Sequence, residues 1–181
     1  MTAKLQTVRL DMAKTETDFS KWSNLYPLGG AAALLILLTA LAEIAITFLP
    51  GGYTTAETVT EWFTLLQDNW FMGLRNLGLL NIVMVAFGIP LYLTLYAAHR
   101  NTNKELAALA VILSYLGVAV FYATNRAFPM LDLSIRYAAA TTEAQRTILE
   151  AAGQAMLAVG QSHTPGTFLA FFLSEIAGIL I

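Results

Sequence analysis

Two carboxylates and one guanidinium stand in stretches that carry almost no other charge: Glu43 within the apolar run from Leu28 to Leu49, Arg75 soon after Trp70, and Glu175 between Thr167 and Ile181. A charge at membrane depth costs roughly 3 kcal/mol on insertion scales, so such a group faces the interior of a helical bundle, either paired or lining a wet cavity. At 1.5 Å of rise per residue, Glu43 falls roughly 10 Å below the outer end of its run and Arg75 roughly 8 Å below Trp70, a matching depth. Asn76 adjoins Arg75, Asn81 lies a little over one turn further along, and Asn125 and Arg126 close the next apolar run on the same side. Glu175 falls roughly 15 Å below Pro165. The candidate polar interior site is therefore Glu43, Arg75, Asn76, Asn81, Asn125 and Glu175, a place for an ion, a proton or a small polar ligand entering from outside. The same residues also fit a structural ion pair and hydrogen-bond network that fixes helix register, because polar side chains hold membrane helices together. Arg126, at the end of a run, is expected to snorkel to headgroups.

These residues need apolar helices to position them. The chain is 57% hydrophobic and 12% charged, with a mean hydropathy of +0.61, which excludes an ordinary soluble domain. A helix needs about 20 apolar residues to cross roughly 30 Å of hydrocarbon, and the candidates are 27–49, 70–98, 105–126 and 165–181. The last offers only about 15 apolar positions, roughly 22 Å, and is expected to be a truncated span. The expected fold is an all-α integral membrane bundle of four transmembrane helices plus two amphipathic outer helices. Residues 1–26 form a cytoplasmic segment and 27–181 the membrane domain, with outer loops 50–69 and 127–164.

Both outer loops carry helix signals. Thr54-Thr55-Ala56-Glu57 has capping-box spacing ahead of a stripe of Val59, Trp62, Phe63 and Leu66, and Thr142-Glu143-Ala144-Gln145 repeats it ahead of Ile148, Ala152, Ala155, Met156 and Val159. These stripes are expected to dock on the span ends or to lie on the membrane surface. Gly88 and Pro90 are expected to shape the second span, as a kink or a gate. Gly29 and Gly30 offer a close-packing surface.

Orientation follows from positive charge. Lys4, Arg9, Lys14 and Lys21 precede the first span, the first outer loop has none, and His99, Arg100 and Lys104 share a tight turn. The N-terminus is thus expected in the cytoplasm and, lacking signal-peptide features, to be retained, with the first span as an uncleaved anchor. Trp22, Tyr26, Tyr92 and Tyr96 would form the inner aromatic belt and Trp62, Trp70, Phe71 and Tyr122 the outer one.

Several function classes are not expected. A net charge of −2 with dispersed Lys and Arg offers nucleic acid no footprint, and the chain has no cysteine for a disulfide, thiol nucleophile or thiolate metal site. His99 and His163 belong to no metal-binding pair, and serine-hydrolase, Walker and dinucleotide motifs are missing. No enzyme activity, metal or cofactor is expected. The expected partners are the lipid bilayer, a small solute or proton, and another membrane protein or a second copy of the chain.

A short cytoplasmic lead, Ala42-Glu43 near the outer end of the first span, an outer helix, a second span led by Trp70, a tight inner turn and a longer outer helical loop make up a layout. It resembles a family of uncharacterised bacterial multi-pass membrane proteins grouped as a domain of unknown function. The likeness covers most of the chain from Tyr26 onward. It implies a bacterial cell-membrane protein in a family of six-span members, and implies no reaction or catalytic residue. Two functions stay open: binding or passing a small solute or proton through an outward-facing polar interior, and serving as a non-transporting subunit or sensor that docks a partner through its outer helices.

Overall fold

The computed structural model describes residues 22–49, 56–160 and 164–181, and all regular structure among them is helical. In chain order the helices are α1 (Leu25–Thr47), α2 (Val59–Asp68), α3 (Trp70–Asn76), α4 (Leu79–His99), α5 (Lys104–Thr124), α6 (Ala127–Ala139), α7 (Glu143–Val159) and α8 (Pro165–Leu180). Three stretches are long and apolar enough to cross a membrane: α1, α4 and Lys104–Ala139. Extended backbone at Asn125 (ψ 131°) divides the third, so α5 is its membrane-length part. Their apolar side chains point outward to an extent that water would not tolerate, with Leu34 61% and Leu38 59% exposed on α1. α8, expected as a short span, is a 16-residue apolar helix.

Small residues bring these helices together. Along α5, Ala110, Ser114 and Gly117 are buried, facing Ala170 and Ala177 of α8. A Cβ on Gly117 would stand 2.8 Å from the Ala170 carbonyl oxygen and 2.9 Å from Ser174 Oγ. In the same way Gly29 of α1 admits Thr94 of α4, whose hydroxyl donates to the Leu25 carbonyl at 2.9 Å. Lipid is as apolar as leucine, so dispersion across such close contacts drives association.

The segments between the long helices form a small hydrophobic core of their own. Phe63 and Leu66 of α2, Leu74 of α3, Leu77, and Ala127 and Met130 of α6 are buried together, with Met156 and Leu157 of α7 packed against them. The α2 stripe thus faces inward as expected, and Trp62, assigned to a belt by sequence, packs on this core. The inward face of α7 is phased differently from the expected stripe. Gly153, Met156 and Leu157 face the cap, while Ile148 (69%) and Val159 (41%) are exposed. The reason lies at Gly153, where a Cβ would meet Val59 Cγ1 at 2.6 Å, so the closest approach selects the glycine and not the largest side chains.

Three local expectations change. The capping box of α2 is Thr58 with Glu61, whereas Thr54 and Thr55 lie outside the described residues. The helix expected unbroken over 70–98 is divided at Leu77 and Gly78 into α3 and α4, and it runs on through Pro90 to His99. α6 was read only as loop; its signal was the spacing of Ala127, Met130 and Ser134, all buried on one face.

Two predictions follow from this packing. Gly117→Val overpacks the α5–α8 contact and is expected to cost about 1–3 kcal/mol, read as a lower melting temperature in detergent, while Gly30→Val, which meets nothing within 4 Å, stays near the parent. In the α2 box, Glu61 Oε2 accepts from the backbone N–H groups of Glu57 at 2.7 Å and Thr58 at 3.2 Å, and these bonds hold its carboxyl below the usual glutamate range. The depressed folded value means that the box is intact above the usual glutamate pKa and lost as pH falls through the lowered one. Amide protection factors in the first turn of α2 are expected to drop on acidification. Those of α7, whose box uses the non-titrating Gln145, should hold.

Candidate functional site

The short helix α3 exists because α2 ends and α3 begins around one residue. Asn69 donates its N–H to the Leu65 carbonyl at 2.9 Å, and its side chain accepts from Met72 N–H at 3.1 Å. Gly78, at φ 98°, then turns the chain into α4, a conformation that favours glycine. This fold-back carries Arg75 against the C-terminal end of α1, where only 4% of the residue is exposed. Its guanidinium lies 3.0 Å from Glu43 Oε1, donates to Glu43 Oε2 at 3.2 Å and to the Glu43 carbonyl at 2.9 Å, and reaches the Thr47 hydroxyl. Asn76 Oδ1 accepts from Nη1 at 3.0 Å. The pairing expected from matching depth is present, and it ties α3 to α1.

Asn81 and Asn125 take part in something else. A polar mouth of about 140 Å³ is lined by Gly78 and Asn81 from the start of α4, Thr124, Asn125 and Arg126 around the α5–α6 junction, and Thr167 of α8. Asn125 Oδ1 caps α6 by accepting from Ala127 N–H at 3.0 Å. Below the mouth lies a cavity of about 300 Å³ among α1, α4, α5 and α8, lined by Met84, Val85, Gly88, Val118, Phe121 and other apolar groups, with Asn81, Tyr92, Ser114 and Ser174 as its polar members. Asn81, Phe121 and Phe171 line both spaces, which places the two side by side. Gly88 leaves room here, since a Cβ would meet nothing within 4 Å. The Tyr92 hydroxyl, assigned to a belt by sequence, instead donates to the Ser174 carbonyl at 3.2 Å.

Arg126 does not simply snorkel. It bends back over Gly160, where a Cβ would stand 2.6 Å from its Cδ, and Nη1 donates to the Leu157 carbonyl near the end of α7 at 2.8 Å. It lines the mouth without a salt bridge among the described residues.

The six sequence-derived residues therefore separate into three places. Glu43, Arg75 and Asn76 form the clamp, and neither Glu43 nor Arg75 lines the mouth or the cavity beneath it. Asn81 and Asn125 line the mouth. Glu175 stands exposed on α8 and lines neither space, within electrostatic reach of Tyr92 and with no salt bridge among the described residues. Depth counting could not detect this, because depth fixes height along a helix and not the direction around it. Thr124, Thr167, Tyr92, Ser114 and Ser174 went unassigned as site residues, the signal for the serines being their small-residue spacing opposite Gly117. Among the described residues, no cluster of three or more His, Asp or Glu could hold a metal ion. No protein-family model, curated protein or solved structure matches the chain.

A double-mutant cycle tests the clamp. Glu43→Gln strands a guanidinium with 2% side-chain exposure and is expected to cost about 3 kcal/mol, the low end for a buried pair because Glu43 itself is 32% exposed. Combined with Arg75→Gln, the loss should fall short of the sum by about 1–2 kcal/mol in thermal unfolding.

Proposed function

We propose that this protein is a four-crossing integral membrane protein of a bacterial-type cell membrane, with its N-terminus in the cytoplasm, that binds or passes a small solute through the mouth between α4, α5 and α8. The supporting observation is that a mouth with polar lining adjoins a mostly apolar cavity at the level of the long helices. Sites of this composition, apolar with a few convergent polar groups, are the usual form of small-molecule pockets. In this reading α2, α3, α6 and α7 are the outer cap, α8 is the fourth crossing, and the clamp holds the cap in register with α1. A solute fits better than a proton, because among the described residues no carboxylate or histidine lines either space to relay one. In this reading the protein is a binder rather than an enzyme, and its layout resembles that of the uncharacterised bacterial family. A partner-docking role is the second reading, favoured by Ile148 (69%), Ile135 (59%) and Phe128 (54%), exposed on the cap helices.

The chain has no native cysteine, so single cysteines report access directly. Asn81→Cys and Asn125→Cys are expected to react with a small membrane-impermeant thiosulfonate added from the outer side, whereas Ala110→Cys, at a position 0% exposed, stays unlabelled. An Asn81→Cys that reacts from neither side would remove the accessible mouth, and with it the solute reading.

A further inference from the structure

Resting on that reading of the mouth, we propose that the ligand is an anionic amphiphile: a carboxylate or phosphate head on Arg126 with one apolar tail lying in the cavity beneath. The first observation is the cation. Arg126 is half-buried, is seated by the notch at Gly160, and has among the described residues one acceptor, the Leu157 carbonyl. A guanidinium carries five N–H donors in a planar fork suited to carboxylate or phosphate. A partly desolvated cation without a counter-ion favours an anion beside it.

The surroundings agree in sign. Among the described residues, neither the mouth nor the cavity is lined by Asp or Glu, so no lining carboxylate competes for that charge. The mouth also gathers the first turns of three helices, represented by Gly78 and Asn81 for α4, Arg126 for α6 and Thr167 for α8, and helix N-termini favour negative charge. Asn81, Asn125 and Thr167 add neutral donors for the remaining head oxygens.

The tail follows from shape. The cavity below adjoins the mouth at Asn81, Phe121 and Phe171, and its walls are chiefly aliphatic and aromatic. Its volume of about 300 Å³ accommodates about ten water-sized groups at about 30 Å³ each, the scale of a medium-length chain. A small anion alone would leave the apolar arm unused, and a neutral hydrocarbon would leave Arg126 unpaired. The amphiphile satisfies both halves.

The test uses the full chain in phosphatidylcholine nanodiscs and a diazirine-tailed dodecanoate as photo-crosslinking probe, with empty discs subtracted. Crosslinks are expected in the α4 and α5 peptides that contain Gly88 and Val118, displaced by dodecanoate and much less by dodecanol or acetate. Arg126→Gln should weaken displacement by dodecanoate at least tenfold, Arg126→Lys should keep most of it, and Gly88→Phe should abolish labelling while the melting temperature stays close to the parent. Phosphatidylglycerol in the disc separates the sources: if it displaces the probe, the head and tail belong to a bilayer lipid, and if only dodecanoate does, to a free single-chain amphiphile. Equal displacement by dodecanol and dodecanoate, with Gly88→Phe still abolishing labelling, would overturn the anionic head and leave the solute site standing. Labelling unaffected by Gly88→Phe would overturn the site itself.

Discussion

A guanidinium with 2% of its side chain accessible must find its hydrogen-bond acceptors within the protein, and Arg75 finds them on one turn of α1. The Glu43 carboxylate and carbonyl and the Thr47 hydroxyl all face it, so losing any part of the arrangement leaves a charge stranded in low dielectric. That requirement fixes where α3 lies. It also fixes how the chain leaves α3, because the turn at Gly78 must deliver α4 to its place beside α1 while Arg75 remains anchored.

The outer cap depends on the same constraint. With α3 held, Leu74 and Leu77 present themselves to Phe63, Leu66, Ala127 and Met130, and the cap acquires a core independent of lipid. Covering the bundle with folded helices has a consequence at the α5–α6 junction. The backbone at Asn125 is extended and polar there, and its side chain caps α6, so the region beneath the cap cannot pack as tightly as the α5–α8 contact below it. The mouth is the space left where helix ends meet, and the apolar cavity is the space left where Gly88 supplies no side chain. Neither feature was assembled from the charged residues that first draw attention.

The buried charge pair and the cavity therefore separate in this molecule. The residues most costly to bury, Glu43 and Arg75, neutralise each other and act as a fastening. The cation near the cavity, Arg126, came to notice only as a span-end residue, a position where lysine and arginine usually reach for headgroups. Seated over Gly160 and tied to α7, it lines the mouth.

The sequence by itself determined the all-helical class, the three membrane-length apolar stretches, the box that starts α7 and the partnership of Glu43 with Arg75. Those features depend on local composition, on spacing within one helix, or on a charge so costly to bury that its partner must lie at the same height. Tertiary structure alone decided which way residues face around each helix. It turned Glu175 outward, brought Tyr92 to Ser174, rotated α7 onto Gly153 and broke the second apolar stretch at Gly78. Azimuth in an apolar helix is not written in a polar-apolar pattern, because every face is apolar. It is set by where small residues allow two backbones to approach, and that depends on both helices at once.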